Sequence, residues 1–129
     1  MKFIKDPIYS EYLHFNDHIL PFIDNRAFKR LKNIKQLGSL HEIFPSATHT
    51  RFEHSLGVAY LGESFINQLY TNSNIPSYSK KNIIQCVKLA GLYHDLGHGP
   101  FSHIFDHHVL SKLCPNNPYK DHEARSCLL

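Results

Sequence analysis

The sequence predicts an all-α fold with a small β-hairpin at its N-terminus. Two observations carry that reading. Apolar residues recur three and four apart through most of the chain, the period of a helix buried on one face. Short β-prone pieces are confined to residues 2–14, around Asp6-Pro7, where they can make a hairpin. With 129 residues the chain can bury one core, so a single domain from 1 to 129 is expected.

In chain order, Ile19, Leu20 and Ile23 share the face of a first helix that Asn25 ends. Phe28, Leu31 and Ile34 form the stripe of a second, with Arg26, Lys29, Arg30, Lys32 and Lys35 outside it. Gly38 to Thr50 reads as loop, broken by Pro45. A long helix from about Thr50 to Tyr70 is expected to turn Val58, Leu61, Phe65 and Leu69 inward. After a polar loop from Thr71 to Tyr78, Ser79 can cap a helix with Ile83, Val87 and Ala90 as its inner stripe. Gly97 and Gly99 break the chain, and Pro100 suits the first turn of a short helix through Asp106. A last helical pattern starts near Asp121 and leaves Cys127, Leu128 and Leu129 exposed.

The net charge of +3 comes from scattered lysines and arginines. No basic stripe with interleaved aromatics is present, which argues against nucleic acid as a partner and suits a small anionic substrate. Cys86, Cys114 and Cys127 form no Cys-x-x-Cys pair. They read as reduced, buried thiols of a cytoplasmic or nuclear protein. The charged N-terminus does not read as a signal peptide, and no apolar run approaches the ~20 residues of a membrane span.

Histidine is the unusual residue: there are 11, as many as Asp and Glu together. Four residues before Val58 stands His54, and four after Ala90 stands His94, so both imidazoles extend apolar stripes and are expected to face the interior. Asp95 follows His94 where Leu96-Gly97 ends the helix. Neighbouring side chains share an ion best there, and the partial negative charge of the helix end favours a cation. His54, His94 and Asp95 thus form a mixed nitrogen and oxygen set for iron, manganese, zinc or cobalt.

Around this set, His98 and His103 lie just beyond the metal pair, and Asp106 can orient His103 from three residues away. Arg51, one turn before His54, can bring a phosphate-gripping fork. His122 sits between Asp121 and Glu123, which would raise its pKa toward general-acid use. His107 and His108 are read as a solvated loop.

The strings Arg51-Phe52-Glu53-His54-Ser55-Leu56-Gly57-Val58 and Ala90-Gly91-Leu92-Tyr93-His94-Asp95-Leu96-Gly97-His98-Gly99-Pro100-Phe101-Ser102-His103 resemble the HD-superfamily phosphohydrolases. With Lys5-Asp6-Pro7-Ile8 and Ile34-Lys35-Gln36-Leu37-Gly38, they most resemble the SAM and HD domain-containing dNTP triphosphohydrolases and dGTPases. The resemblance implies an HD-domain helical bundle, with His54, His94 and Asp95 as metal ligands. It implies that Arg51, His98, His103 and His122 contact the triphosphate or move protons, supported by Asp106 and Glu123. Gln36 and Leu37 would meet the deoxyribose. The implied reaction is attack of a metal-activated water on the α-phosphorus, giving a deoxynucleoside and intact triphosphate. Magnesium is a candidate at the substrate phosphates, and a homo-oligomer is admitted.

One departure stands out. The family's fourth ligand is an aspartate on a helix well downstream, so residues 1–129 are expected to be a partial HD domain truncated at its C-terminus. Three functions follow as expectations. The first is dNTP (dGTP) triphosphohydrolysis. The second is HD phosphohydrolysis of another nucleotide or phosphate ester. The third is binding of metal or nucleotide with little or no catalysis.

Overall fold

Alternation decides the first element. Lys2–Lys5 (β1) pairs antiparallel with Tyr12–Phe15 (β2), Lys2 opposite Phe15 and Lys5 opposite Tyr12. Leu13 and Phe15 therefore point one way, both fully buried, while Tyr12 and His14 face out. The computed structural model describes residues 1–73, 76 and 79–129.

Leu20–Asp24 (α1) ends at Asn25, as expected. Asn25 then caps Arg26–Lys29 (α2) by accepting from the Phe28 amide at 2.8 Å. The chain tightens into a 3-10 turn, Arg30–Asn33, so Phe28, Leu31 and Ile34 all reach the core. The following loop includes a 3-10 turn at Leu40–Glu42 and closes through a bridge between Lys35 and Thr50.

Arg51–Asn72 (α3) starts where the Glu53 carboxylate accepts from the Thr50 amide at 2.5 Å and the Thr50 hydroxyl at 2.9 Å. It packs along Lys80–Tyr93 (α4). Here the structure corrects the expected stripes. Leu61, Phe65 and Leu69 are exposed, as are Ile83 and Ala90, whereas Ser55, Leu56, Ala59, Lys88, Gly91 and Leu92 are buried. Small residues decided the matter. A Cβ on Gly91 would stand 2.9 Å from the Ala59 amide nitrogen, so the helices meet backbone to backbone along that row. Two further expectations change. Ser79 stands at the N-cap of α4 but makes no capping bond, its hydroxyl lying 3.5 Å from that of Tyr70. The loop expected from Thr71 to Tyr78 lies in part outside the described residues, and Thr71 and Asn72 belong to α3.

The core joins these pieces: Leu13, Phe15, Ile19, Ile23, Phe28 and Leu31 pack with Leu56, Ala59, Leu92 and Leu96. One cation enters it. The Lys88 ammonium pairs with Glu63 at 2.5 Å, donates to the His14 carbonyl at 3.2 Å and lies 5.3 Å from the Phe15 ring centre, tying hairpin to helix pair.

Past α4, Pro100 opens a turn rather than a helix. Phe101 and Ser102 take left-handed backbone angles, φ 60° and 55°. Helix begins at His103 and continues as a π-helix, Phe105–Leu110, into Ser111–Leu113 (α5). His107 and His108 are therefore on an exposed helical surface and not in a loop. His122–Ser126 (α6) completes the described elements. The three cysteines are exposed, contrary to expectation. Among the described residues no helix is long and apolar enough to cross a membrane.

Candidate active site

Asp95 sits one residue past the C-cap of α4, 3% exposed. One of its oxygens accepts from Arg51 Nη1 at 2.5 Å and lies 3.6 Å from His54 Nε2. The other lies 3.4 Å from His94 Nε2 and 3.4 Å from His98 Nε2. Burial alone would raise its pKa, but the His98 ring and the charges of His94 and Arg51 outweigh that. The carboxylate is held ionised well below the usual range.

His54 and His94 do not face the interior as expected. They are 35% and 39% exposed, because the stripes they extend lie on the uncovered side of the helix pair. This suits a metal better than burial would, since two open imidazoles stand over a sunken carboxylate. One donor atom from each of His54, His94 and Asp95 falls within 4.8 Å of the others. His94 Nδ1 lies 2.8 Å from the Gly91 carbonyl, an arrangement that puts the ring proton there and leaves the Nε2 lone pair for a ligand. Burial pushes the His54 pKa down, against the pull of Asp95, which favours the neutral ring that binds a metal. The residues therefore fit a divalent metal.

A second group adjoins Asp95 through His98. Donor atoms of His98, His103, Asp106 and His122 also fall within 4.8 Å of one another. His98 is fully buried and stacks on His122 with ring centres 3.7 Å apart, and His103 stands perpendicular to His98 at 4.8 Å. Asp106 does not orient His103, as the spacing suggested. Its Oδ2 holds His122, 3.0 Å from Nδ1 and 3.1 Å from the backbone amide, while Oδ1 pairs with Arg125. From the π-helix the buried Asp106 commits both carboxylate oxygens to α6, leaving none bonded to the ring one turn earlier. Asp121 and Glu123 are exposed and make no hydrogen bond to the His122 ring, so the carboxylate beside that imidazole is Asp106.

Arg51 links the two groups, and only Nη2 of its fork is uncommitted. Nη1 is committed to Asp95 and Nε donates to Ser102 Oγ at 2.9 Å; Nη2 is buried without a partner. Ser102 in turn donates to the Lys35 carbonyl at 2.9 Å, which accounts for the left-handed turn that holds it. Gln36 follows Lys35, and its Oε1 is likewise buried and unpartnered; Leu37 beside it is 47% exposed. A cleft of about 250 Å³ opens next to His54, lined by Asp6, Tyr9, His49, Glu53 and Val58 among others. A larger cavity, about 740 Å³ at Arg26, Lys29, Arg30 and Leu129, has no imidazole or acidic side chain in its lining.

Sequence reasoning missed four supports. Arg30 donates to the carbonyls of Leu96 and His98, at 2.6 and 2.9 Å, and anchors the turn that carries the cluster. Arg125 and Ser126 clamp Gly97, and Ser102 braces Arg51. All act across 28 residues or more in sequence, so no local pattern marks them.

Acid should loosen this site in the metal-free chain. Burial lowers the pKa of His54 and His98, so the unfolded chain binds protons that the folded one refuses. That stability is fully present above about pH 6.5 and is lost as pH falls through the depressed values. The Asp95 and Asp106 contributions, with pKa lowered, persist until far more acid conditions. Melting temperature is expected to fall from pH 7.5 to 5; a flat profile over that range would contradict the assignment.

The HD domain family matches residues 51–128. Along 127 residues, 98% of this chain and 20% of the relative, it is 46% identical to the deoxynucleoside triphosphate triphosphohydrolase SAMHD1 of Danio rerio. The human protein of that name is 41% identical over the whole chain, again across 20% of its own length. A putative HD domain-containing protein of Acanthamoeba polyphaga mimivirus is 47% identical over 118 residues, 83% of this chain and 25% of that protein. The chain thus spans a fifth to a quarter of the length of these curated relatives. With the His54, His94-Asp95 constellation inside the matched span, the chain belongs to the HD domain family.

Proposed function

We propose that this chain carries the metal-binding and phosphate-handling part of a dNTP triphosphohydrolase, with dGTP as a substrate. The observation that carries the reading is the buried Arg51–Asp95 pair, which joins a three-ligand metal set to a cluster of three imidazoles. A divalent ion at His54, His94 and Asp95 would supply Lewis acidity toward a phosphate ester and its attacking water. Iron, manganese, zinc and cobalt all suit that donor set, with magnesium at the substrate phosphates.

The chain's own residues divide the remaining work. Arg51 presents Nη2 to a phosphate oxygen while Asp95 fixes the plane of its fork. His98, whose two nitrogens make no hydrogen bond, offers a buried donor to the same chain of phosphates. His122, its Nδ1 held by Asp106, keeps Nε2 free to give or take a proton, and the exposed His103 stands beside it at 5.2 Å. Gln36 Oε1 and Leu37 meet the deoxyribose, one as acceptor and one as an apolar contact. Glu123 supports His122 only through the helix they share. The protein is assigned on this reading to cytoplasm or nucleus, with a homo-oligomer admitted.

Product analysis tests this. Incubation of the metal-loaded chain with each dNTP is expected to release a deoxynucleoside and tripolyphosphate in equal amounts. Orthophosphate or pyrophosphate would instead assign another phosphohydrolase reaction. Retained metal and nucleotide binding without turnover would assign a binding role.

A further inference from the structure

We propose that His98, His103 and His122 bind a second divalent transition-metal ion, of the zinc or cobalt(II) kind, separate from the one at His54, His94 and Asp95. The inference goes beyond the functional reading and does not depend on it.

Three features point to a ligand. Donor atoms of the three imidazoles and of Asp106 lie within 4.8 Å of one another, and imidazole is a preferred donor for these ions. His98 is fully buried and neither nitrogen makes a hydrogen bond; Nε2 has only the Asp95 carboxylate at 3.4 Å and Nδ1 has no polar partner, a costly state unless something binds it. His122 is prepared as metal-bound histidines usually are. Its Nδ1 lies 3.0 Å from a carboxylate oxygen, which sets the tautomer and turns the Nε2 lone pair outward. Asp106 has its two oxygens taken by His122 and Arg125, so it orients the ligand and is not one itself.

Ring geometry defines how the ion enters. His103 is exposed and stands at 88° to His98 and 77° to His122, with centres 4.8 and 5.2 Å apart. In-plane lone pairs of perpendicular rings can meet at one point. His98 and His122 are stacked, 18° from parallel, so their lone pairs run side by side. Joining all three therefore requires one ring to turn, and His98 has no hydrogen bond to hold it. Three nitrogen ligands leave one tetrahedral position open. With the ion in place, the lone pairs of His103 and His122 are occupied, so excess metal blocks any proton transfer through them.

The test is zinc titration of the chelator-stripped chain by calorimetry, with cobalt(II) visible spectra as a second readout. Wild type should bind two ions per chain. His103→Gln changes an exposed residue and should leave the circular dichroism unchanged. It should bind one ion, with at least a tenfold loss of affinity at the other site and loss of the tetrahedral cobalt bands of the second equivalent. The double variant His54→Gln, His94→Gln should keep the second site. A single ion per wild-type chain, or two ions retained in His103→Gln, would overturn the proposal.

Discussion

Replacing Arg125 with alanine is expected to lower stability by about 3 kcal/mol, the lower end of the range for breaking a buried ion pair, since this side chain is 19% exposed. For a chain this size that is a fall of about 10 °C in melting temperature. The guanidinium donates to the Gly97 carbonyl at 2.8 Å, to the carbonyls of Tyr119 and Lys120 at 2.9 and 2.7 Å, and to Asp106. Removing it leaves Asp106, 1% exposed, with only His122 against its charge. Docking of α6 should fail with it, because Gly97 lies so close beneath that a Cβ there would meet the His122 carbonyl oxygen and the Ser126 amide nitrogen. Lysine should not rescue the variant, for a point charge cannot reach four divergent acceptors. Calorimetry alongside the NMR signal of the His122 ring checks both effects, and a melting shift under about 2 °C would refute this role.

Asp95→Asn should be the most damaging change to the metal site. The amide keeps the shape but loses the charge, and metal affinity should fall more than about 100-fold, beyond what the loss of an outer-layer partner costs. The same change strips Arg51, 1% exposed, of its counter-charge and should cost about 3–5 kcal/mol in the metal-free chain. His94→Ala separates the two consequences. That ring is 39% exposed, so affinity should be lost while stability stays within about 1 kcal/mol. Metal titration and thermal unfolding of both variants provide the comparison. If His94→Ala destabilised the fold as much as Asp95→Asn, the division between exposed ligand and buried hub would be wrong.

Local chemistry made much of the molecule legible in the sequence. The hairpin followed from the β-prone pieces around Asp6-Pro7, the end of the first helix was readable at Asn25, and the buried set Phe28, Leu31 and Ile34 followed from helical spacing. His54 and His94-Asp95 could be grouped because an ion needs donors near a helix end. Which apolar row of α3 and α4 would be covered could not be read that way. Val58, Leu61, Phe65 and Leu69 make as regular a row as the one that is buried, and only the close approach at Ala59 and Gly91 chose between them.

The histidines show the same division. The sequence by itself determined which rings were available and that Asp95 would be adjacent to His94. Tertiary structure decided that His54 and His94 open outward, that Asp106 holds His122 instead of His103, and that Arg125 balances Asp106 from 19 residues away. Spacing along a helix reports only neighbours within a turn or two. A buried carboxylate takes its partner from whatever cation or N–H the packed chain brings within about 3 Å, because burying it unpaired costs more than any local preference supplies.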